Sequence, residues 1–377
     1  MPETSIDTNK LSYEIFSILE RKFLFGYDDY KVWLPKQISP CFYPNIEFTP
    51  SATLLMSTPS PDNSVNSIKN QRGKVCILSL DGSDMRNILT GMALAYLDHA
   101  LKEKSGTSDA RITDYFDVAT GTGIGGIFTA TLFATNDNSR PIFRAEDTWR
   151  FLAEQGKKIY RSGSGGGAVI LKRILKRGGS IGTTTAGLEE LMKEVFTKSG
   201  RSLTLNDTMK PVQIACYDMS STAPFLFSPA GARADEPGTD NFDLRLCEVS
   251  RVMSAELGVS EPVNMLSTDG ATKCVTINRG RAMSNPTAAA IMQVMHDKEF
   301  LVRGVEDILV LSLGMSQHLE GSYGYEQVRG WKANQWAGPR PHIAGDGHSD
   351  TVDQAVAMTF GYCCSNMYVL IQVSTYY

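Results

Sequence analysis

The stretch YFDVATGTGIGGIFTATLFA, residues 115–134, runs from an apolar segment through a cluster of glycines into a second apolar segment, with no charge after Asp117. The first segment, Tyr115–Thr120, has the length and composition of a buried strand. The second, Ile124–Ala134, is long enough for a helix. The stretch therefore reads as strand, tight turn and helix, all buried. Its uncharged core, Val118–Asn136, is too rich in Thr and Gly for a membrane span.

Outward from it the same alternation recurs. Val75–Leu80 (VCILSL) is another buried strand, followed by the turn Asp81-Gly82-Ser83. A helix then carries Ile88, Leu89, Met92, Leu94, Leu97 and Leu101 through about Lys104. Further strands are expected at Val212–Tyr217, Lys273–Asn278 and Ile308–Leu313, and helices near 145–160, 185–198, 286–297 and 350–362. Continuous apolar strands alternating with helices predict an α/β fold, a mostly parallel sheet covered by helices on both faces. Residues 315–349, rich in Gly and His and holding Trp331 and Trp336, predict a long loop. Near the start, Leu11, Ile15, Phe16, Leu19 and Phe23 have helical spacing, and Ser51–Arg72 reads as an irregular linker. The expected division is 1–72, a helix and linker, and 73–377, the α/β domain.

The composition excludes several classes. Apolar residues make up 42% and charged residues 21% of 377, which argues against a disordered or fibrous chain. A net charge of −4 does not suit a protein that coats nucleic acid. Seven cysteines include no C-x-x-C pair, so neither a disulfide framework nor a zinc ribbon is expected. The first residues carry early acids and no long apolar run, unlike a secretory signal. Reduced thiols in a cytoplasmic setting are the consistent expectation. The five histidines show no metal-binding spacing, and neither a metal nor a cofactor is expected.

Two readings compete for the glycine cluster. Gly121, Gly123 and Gly126 fit the G-x-G-x-x-G dinucleotide fingerprint. The acidic residue that should end the next strand is missing, however: residues 136–148 run as a loop into a helix. The alternative is a nucleophile elbow, G-x-S-x-G, in which small residues flank a nucleophile on a strained turn. Here the flanking glycines are present and the centre is Gly123.

In this light the sequence resembles the patatin-like phospholipases. Residues 76–134 are similar to the family's Asp-Gly-Gly-Gly-x-Arg-Gly oxyanion loop, its helix and its elbow. VTINRGRAMSNPTAAAI (275–291) resembles the block that supplies the catalytic aspartate, and ILVLSLG (308–314) a later strand. The elbow GTGIGG and the segment 349–354 look most like the plant subgroup with G-x-G-x-G. The resemblance implies a three-layer patatin-like sandwich and a lipid acyl hydrolase with a Ser-Asp dyad. It places the nucleophile position at Gly123 and the aspartate position at Asn278. It places the oxyanion loop at Gly82, Ser83, Asp84, Met85 and Arg86, with Asp84 where the family has glycine.

Glycine cannot form an acyl-enzyme, and a neutral amide cannot act as general base. Asp84, facing the site, would oppose an oxyanion. Thr122 is expected to point elsewhere on the turn, Ser284 to cap a helix, and Asp269-Gly270 to form a hairpin turn. Three functions follow: a patatin-like protein without dyad chemistry that binds glycerolipid or fatty-acyl ligands, an unconventional acyl hydrolase of phospholipids and galactolipids, or a protein-interaction module. A glycine run at 162–167 leads into AVILKRILKRGG, where Lys172, Arg173, Lys176 and Arg177 sit among apolar residues. That pattern suits peripheral contact with anionic membrane lipid, or simply a solvated surface.

Overall fold

The computed structural model describes residues 73–82, 87–160, 182–229, 243–254, 262–270, 272–278, 285–315, 325–332, 335–336, 339–361 and 367–373. The readings made for the first 72 residues, for Ser83, Asp84, Met85 and Arg86, and for Lys172, Arg173, Lys176 and Arg177 lie outside these residues.

In chain order the elements are β1 (Val75–Leu80), α1 (Asn87–Ser105), β2 (Val118–Thr122), α2 (Gly123–Phe133), α3 (Ala145–Tyr160) and α4 (Gly182–Val195). A small hairpin, β3 (Thr197–Lys198) and β4 (Arg201–Ser202), follows. Then come β5 (Val212–Asp218), β6 (Ala223–Phe227), α5 (Leu246–Ser254), β7 (Val263–Leu266), β8 (Lys273–Ile277) and α6 (Thr287–His296). The chain continues through β9 (Ile308–Met315), α7 (Tyr325–Arg329), α8 (Pro339–Phe360) and β10 (Tyr368–Val373).

The strands form an eight-stranded sheet in the order β10-β9-β1-β2-β5-β8-β7, with β6 paired to β5. β10, β9, β1, β2 and β5 run parallel. β6, β7 and β8 make the remaining, antiparallel part. The core lies on both faces, as alternation along β1 shows. Cys76, Leu78 and Leu80 pack with Leu94, Leu97 and Leu101 of α1 and Ile124, Ile127 and Phe128 of α2. Val75 and Ile77 pack with Ala290, Ile291 and Val294 of α6 and Val356 and Phe360 of α8. Two buried faces are why VCILSL has no polar alternation.

Several boundaries differ from the sequence expectation. β2 begins at Val118, not Tyr115, because residues 112–114 form a 3-10 turn closed by Tyr115 N–H to the Ile112 carbonyl at 3.0 Å. Asp117 then accepts the Cys76 N–H at 2.9 Å, which pins the start of the strand. The loop expected at 315–349 contains α7, and α8 starts at Pro339 rather than near 350. Pro339 and Pro341 suit a first turn, whose N–H groups have no helical partner.

The α6 face of the sheet also carries a polar row. Ser312 pairs with Ser79, Ser79 with Thr120, and Thr120 with Gln213, so four neighbouring parallel strands each contribute a polar side chain at one level. All four are fully buried. The Thr287 hydroxyl of α6 donates to Ser79 Oγ at 2.8 Å and lies 3.3 Å from Ser312 Oγ.

Candidate functional site

β2 gives way to α2 without an intervening loop. Gly123, the first helical residue, has φ +51°, a left-handed conformation that costs an L side chain about 1–2 kcal/mol. Neighbouring glycines allow backbone to meet backbone. A Cβ on Gly82 would overlap the Thr122 carbonyl, and one on Gly125 would overlap the Leu80 carbonyl. The turn is therefore clamped against the end of β1. Gly125→Ala is expected to destabilise the fold by about 3 kcal/mol, at the upper end for overpacking, because no flexible side chain can yield there. Urea unfolding measures it; a change near zero would mean the clamp is loose.

A Cβ on Gly123 itself meets no such obstacle. Its nearest neighbours would be Gly82 Cα at 3.3 Å and Asn278 Nδ2 at 3.6 Å. Sheet topology explains this meeting. β2 pairs with β5 through Thr122↔Ala215, and β8 pairs with β5 through Ile277↔Tyr217. β6 occupies the opposite edge of β5 along Ile214–Asp218. β2 and β8 thus share one edge and run head-on toward each other, and the residues just past their ends, Gly123 and Asn278, converge. Asn278 Nδ2 donates to the Met253 carbonyl at the end of α5, at 2.5 Å. Asn278 Oδ1 is buried, and among the described residues nothing donates to it.

Beneath Gly82 lies a second polar group. Asp81 is buried, its Oδ1 has no partner among the described residues, and Gly314 leaves the space its carboxyl fills, since a Cβ there would stand 2.7 Å from Oδ2. Burial, and then the nearby Asp353, raise its pKa well above the usual carboxylate range. Asp353 of α8 accepts from Asn285 Nδ2 at 2.5 Å, Tyr368 Oη at 2.8 Å and Gln372 Nε2 at 3.2 Å. Burial raises its pKa too, opposed by those hydrogen bonds.

The structure brings Gly123, Gly82 and Asn278 together. Thr122 is buried, as Thr120 is. Asp269 and Gly270 form the β7–β8 turn, with Gly270 N–H on the Ser267 carbonyl and φ +76° at Gly270, so Asp269 stays with its hairpin. Ser284 lies outside the described residues; Asn285 Oδ1 caps α6 by accepting the Thr287 N–H at 3.0 Å. Among the described residues no group of three His, Cys, Asp or Glu is placed to hold a metal. No described helix is long and apolar enough to cross a membrane. Sequence reasoning missed Met253 and the Asp353–Tyr368–Gln372 network. Asp353 did carry a signal: it shares the packed face of α8 with Val356 and Phe360, an acid at an otherwise apolar helical position.

The architecture is that of an α/β protein with an elbow-type strand-to-helix turn at the C-terminal ends of its parallel strands. No family model matches the chain. Patatin-like protein 7 of Arabidopsis thaliana is 57% identical over 378 residues, covering 99% of this chain and 69% of its own length. Patatin-like protein 6 of the same plant is 54% identical, covering 99% and 72%. Probable inactive patatin-like protein 9 is 36% identical over 306 residues, covering 80% and 75%. The chain belongs to the patatin-like proteins. VipD from Legionella pneumophila aligns with a TM-score of 0.33 and 14% identity, over 68% of this chain and 52% of its own; that likeness carries no weight here.

Proposed function

We propose that this patatin-like protein holds acyl lipid at the Gly82–Gly123–Asn278 site without hydrolysing it through a serine–aspartate dyad. The observation that supports the reading most is Gly123 itself. It stands at the left-handed residue of a clamped turn, with room for a side chain facing Asn278 and none present. Asn278, the residue facing that room, is a neutral amide held by Met253 and has no basic function at physiological pH. With neither nucleophile nor base, dyad chemistry has no first step.

The test is direct. Purified full chain, mixed with phospholipid or galactolipid vesicles, is expected to co-sediment with them and to release fatty acid no faster than buffer. Release insensitive to a serine-directed fluorophosphonate would overturn the reading in favour of an unconventional acyl hydrolase. Failure to bind either vesicle would overturn it in favour of a protein-interaction role.

We further propose that Lys172, Arg173, Lys176 and Arg177 assist contact with anionic membrane. Each basic residue near such a surface contributes about 1 kcal/mol. Replacing all four by Gln is expected to weaken binding to anionic vesicles by at least about tenfold, with binding to neutral vesicles unchanged. Equal binding before and after the replacement removes the assignment.

A further inference from the structure

The helices of the sandwich differ in what they show to solvent. α3 and α4 carry ion pairs on their outer sides, Glu146 with Arg150 and Glu189 with Lys193. α6 holds no Asp, Glu, Lys or Arg at all, and α8 from Thr351 to Phe360 holds only Asp353, which is turned inward. Their outward positions are apolar or neutral and recur at helical spacing: Ala288, Met292 and Met295 on α6, and Thr351, Ala355 and Met358 on α8. The two helices touch, and Ala290, Ile291 and Val294 share one core cluster with Val356 and Phe360. Met292, Met295 and Met358 are 61%, 45% and 81% exposed, so the pair presents an uncharged face studded with methionine.

The sequence supplies an occupant. Residues 10–25 contain no Gly or Pro, and Leu11, Ile15, Phe16, Leu19 and Phe23 have the spacing of a helix's apolar stripe, which needs a surface to be buried against. The chain that follows them enters the domain beside α6 and α8. Gly73 leads into β1, and Lys74 Nζ donates to the Glu306 carbonyl at 2.6 Å. The turn Val305–Asp307, which holds Glu306 and joins α6 to β9, packs against α8. Residues 24–72 are ample chain to bring the stripe back over that face. A tether of this kind sets a local concentration of about millimolar, at which a modest apolar contact stays closed. Methionine suits the role, since its flexible thioether adapts to rings such as those of Phe16 and Phe23. We propose that the amphipathic segment 10–25 of this chain docks as a helix on the methionine face of α6 and α8.

The experiment is peroxide oxidation of the purified full chain, read by peptide mass spectrometry. Met92 on α1 and Met219 just after β5, 44% and 46% exposed, serve as references. Met292, Met295 and Met358 are expected to oxidise at least about tenfold more slowly than these, because a docked segment leaves them reactive only when it lifts off. Ile15→Asp/Phe16→Asp/Leu19→Asp is expected to bring all three up to the reference rate. Met292→Glu/Met358→Glu tests the other side of the contact: tryptic cleavage after Arg21 and Lys22 is expected to become at least about tenfold faster. That variant carries the test alone if the first does not fold. Oxidation of the three methionines at the reference rate in the unmodified chain overturns the proposal, as does cleavage unmoved by the face variant. Protection that survives the triple replacement also overturns it and gives the face to another occupant, a second copy of the chain if the protection falls on dilution.

Discussion

The double variant Gly123→Ser/Asn278→Asp is expected to cleave a short-chain nitrophenyl ester at least about 10²-fold faster than the unmodified chain, the lower range for a positioned general base. The scaffold for that gain exists. A Cβ at Gly123 finds 3.3 Å to Gly82 Cα and 3.6 Å to Asn278 Nδ2, close to ordinary contact, so a serine fits with a few tenths of an ångström of adjustment. An aspartate at 278 would hold an oxygen toward that serine. The left-handed backbone at 123 costs the new side chain about 1–2 kcal/mol, which the clamp between β1 and α2 must withstand. Neither single variant is expected to rise above background, since nucleophile and base act as a unit. If Asp84 holds the oxyanion-loop position that the family resemblance assigns to it, adding Asp84→Gly is expected to raise the rate further by removing a charge there. A folded double variant that stays at the background rate would show that Gly123 and Asn278 are not the dyad positions.

Asp353→Ala is expected to destabilise the fold by about 3–4 kcal/mol, because it strips the acceptor from three donors at once and leaves a hole at the α8–β10 contact. Asn285, Tyr368 and Gln372 all lose their partner, and Asn285 also caps α6, so the damage reaches three elements. Asp81→Asn has a different signature. The folded pKa of Asp81 is raised, whereas an unfolded Asp ionises near 3.9. The folded state therefore keeps its proton to higher pH. Stability from this group is complete below about pH 4 and is lost as pH climbs through the higher folded pKa. Asp81→Asn is expected to remove that decline. Thermal unfolding from acid to mildly alkaline pH compares the two chains; parallel profiles would mean that Asp81 is not held protonated by burial.

Much of this was legible in the sequence for reasons the structure makes physical. VCILSL and VATGT lack polar alternation because helices cover both sides of their strands. Gly121 and Gly125 stood out because backbone packed against them leaves no space for a Cβ. Gly123 and Asn278 were linked only through resemblance; nothing in their spacing says that β2 and β8 end opposite one another on β5. β10 and α5 passed unnoticed, and α8 was cut short, since PRPHIAGDGHSD has the composition of a loop until tertiary contacts make it helical. The Asp81–Asp353 association is a product of topology alone, joining residues at opposite ends of the α/β domain.

The head-on meeting of β2 and β8 gives the site two walls of unequal stiffness. Gly123 is set by parallel strands paired over four and six residues and by backbone clamped on both sides. Asn278 follows the β7–β8 hairpin, which is paired internally over four residues but joins β5 only through Tyr217↔Ile277 and Asp218↔Thr276, with the Met253 hydrogen bond as a tether. A ligand too wide for the gap would be accommodated by displacement of the Asn278 wall, hinged where β8 leaves β5, while the elbow stayed still. The geometry of one half of the site is thus a property of the core, and that of the other half a property of what occupies it.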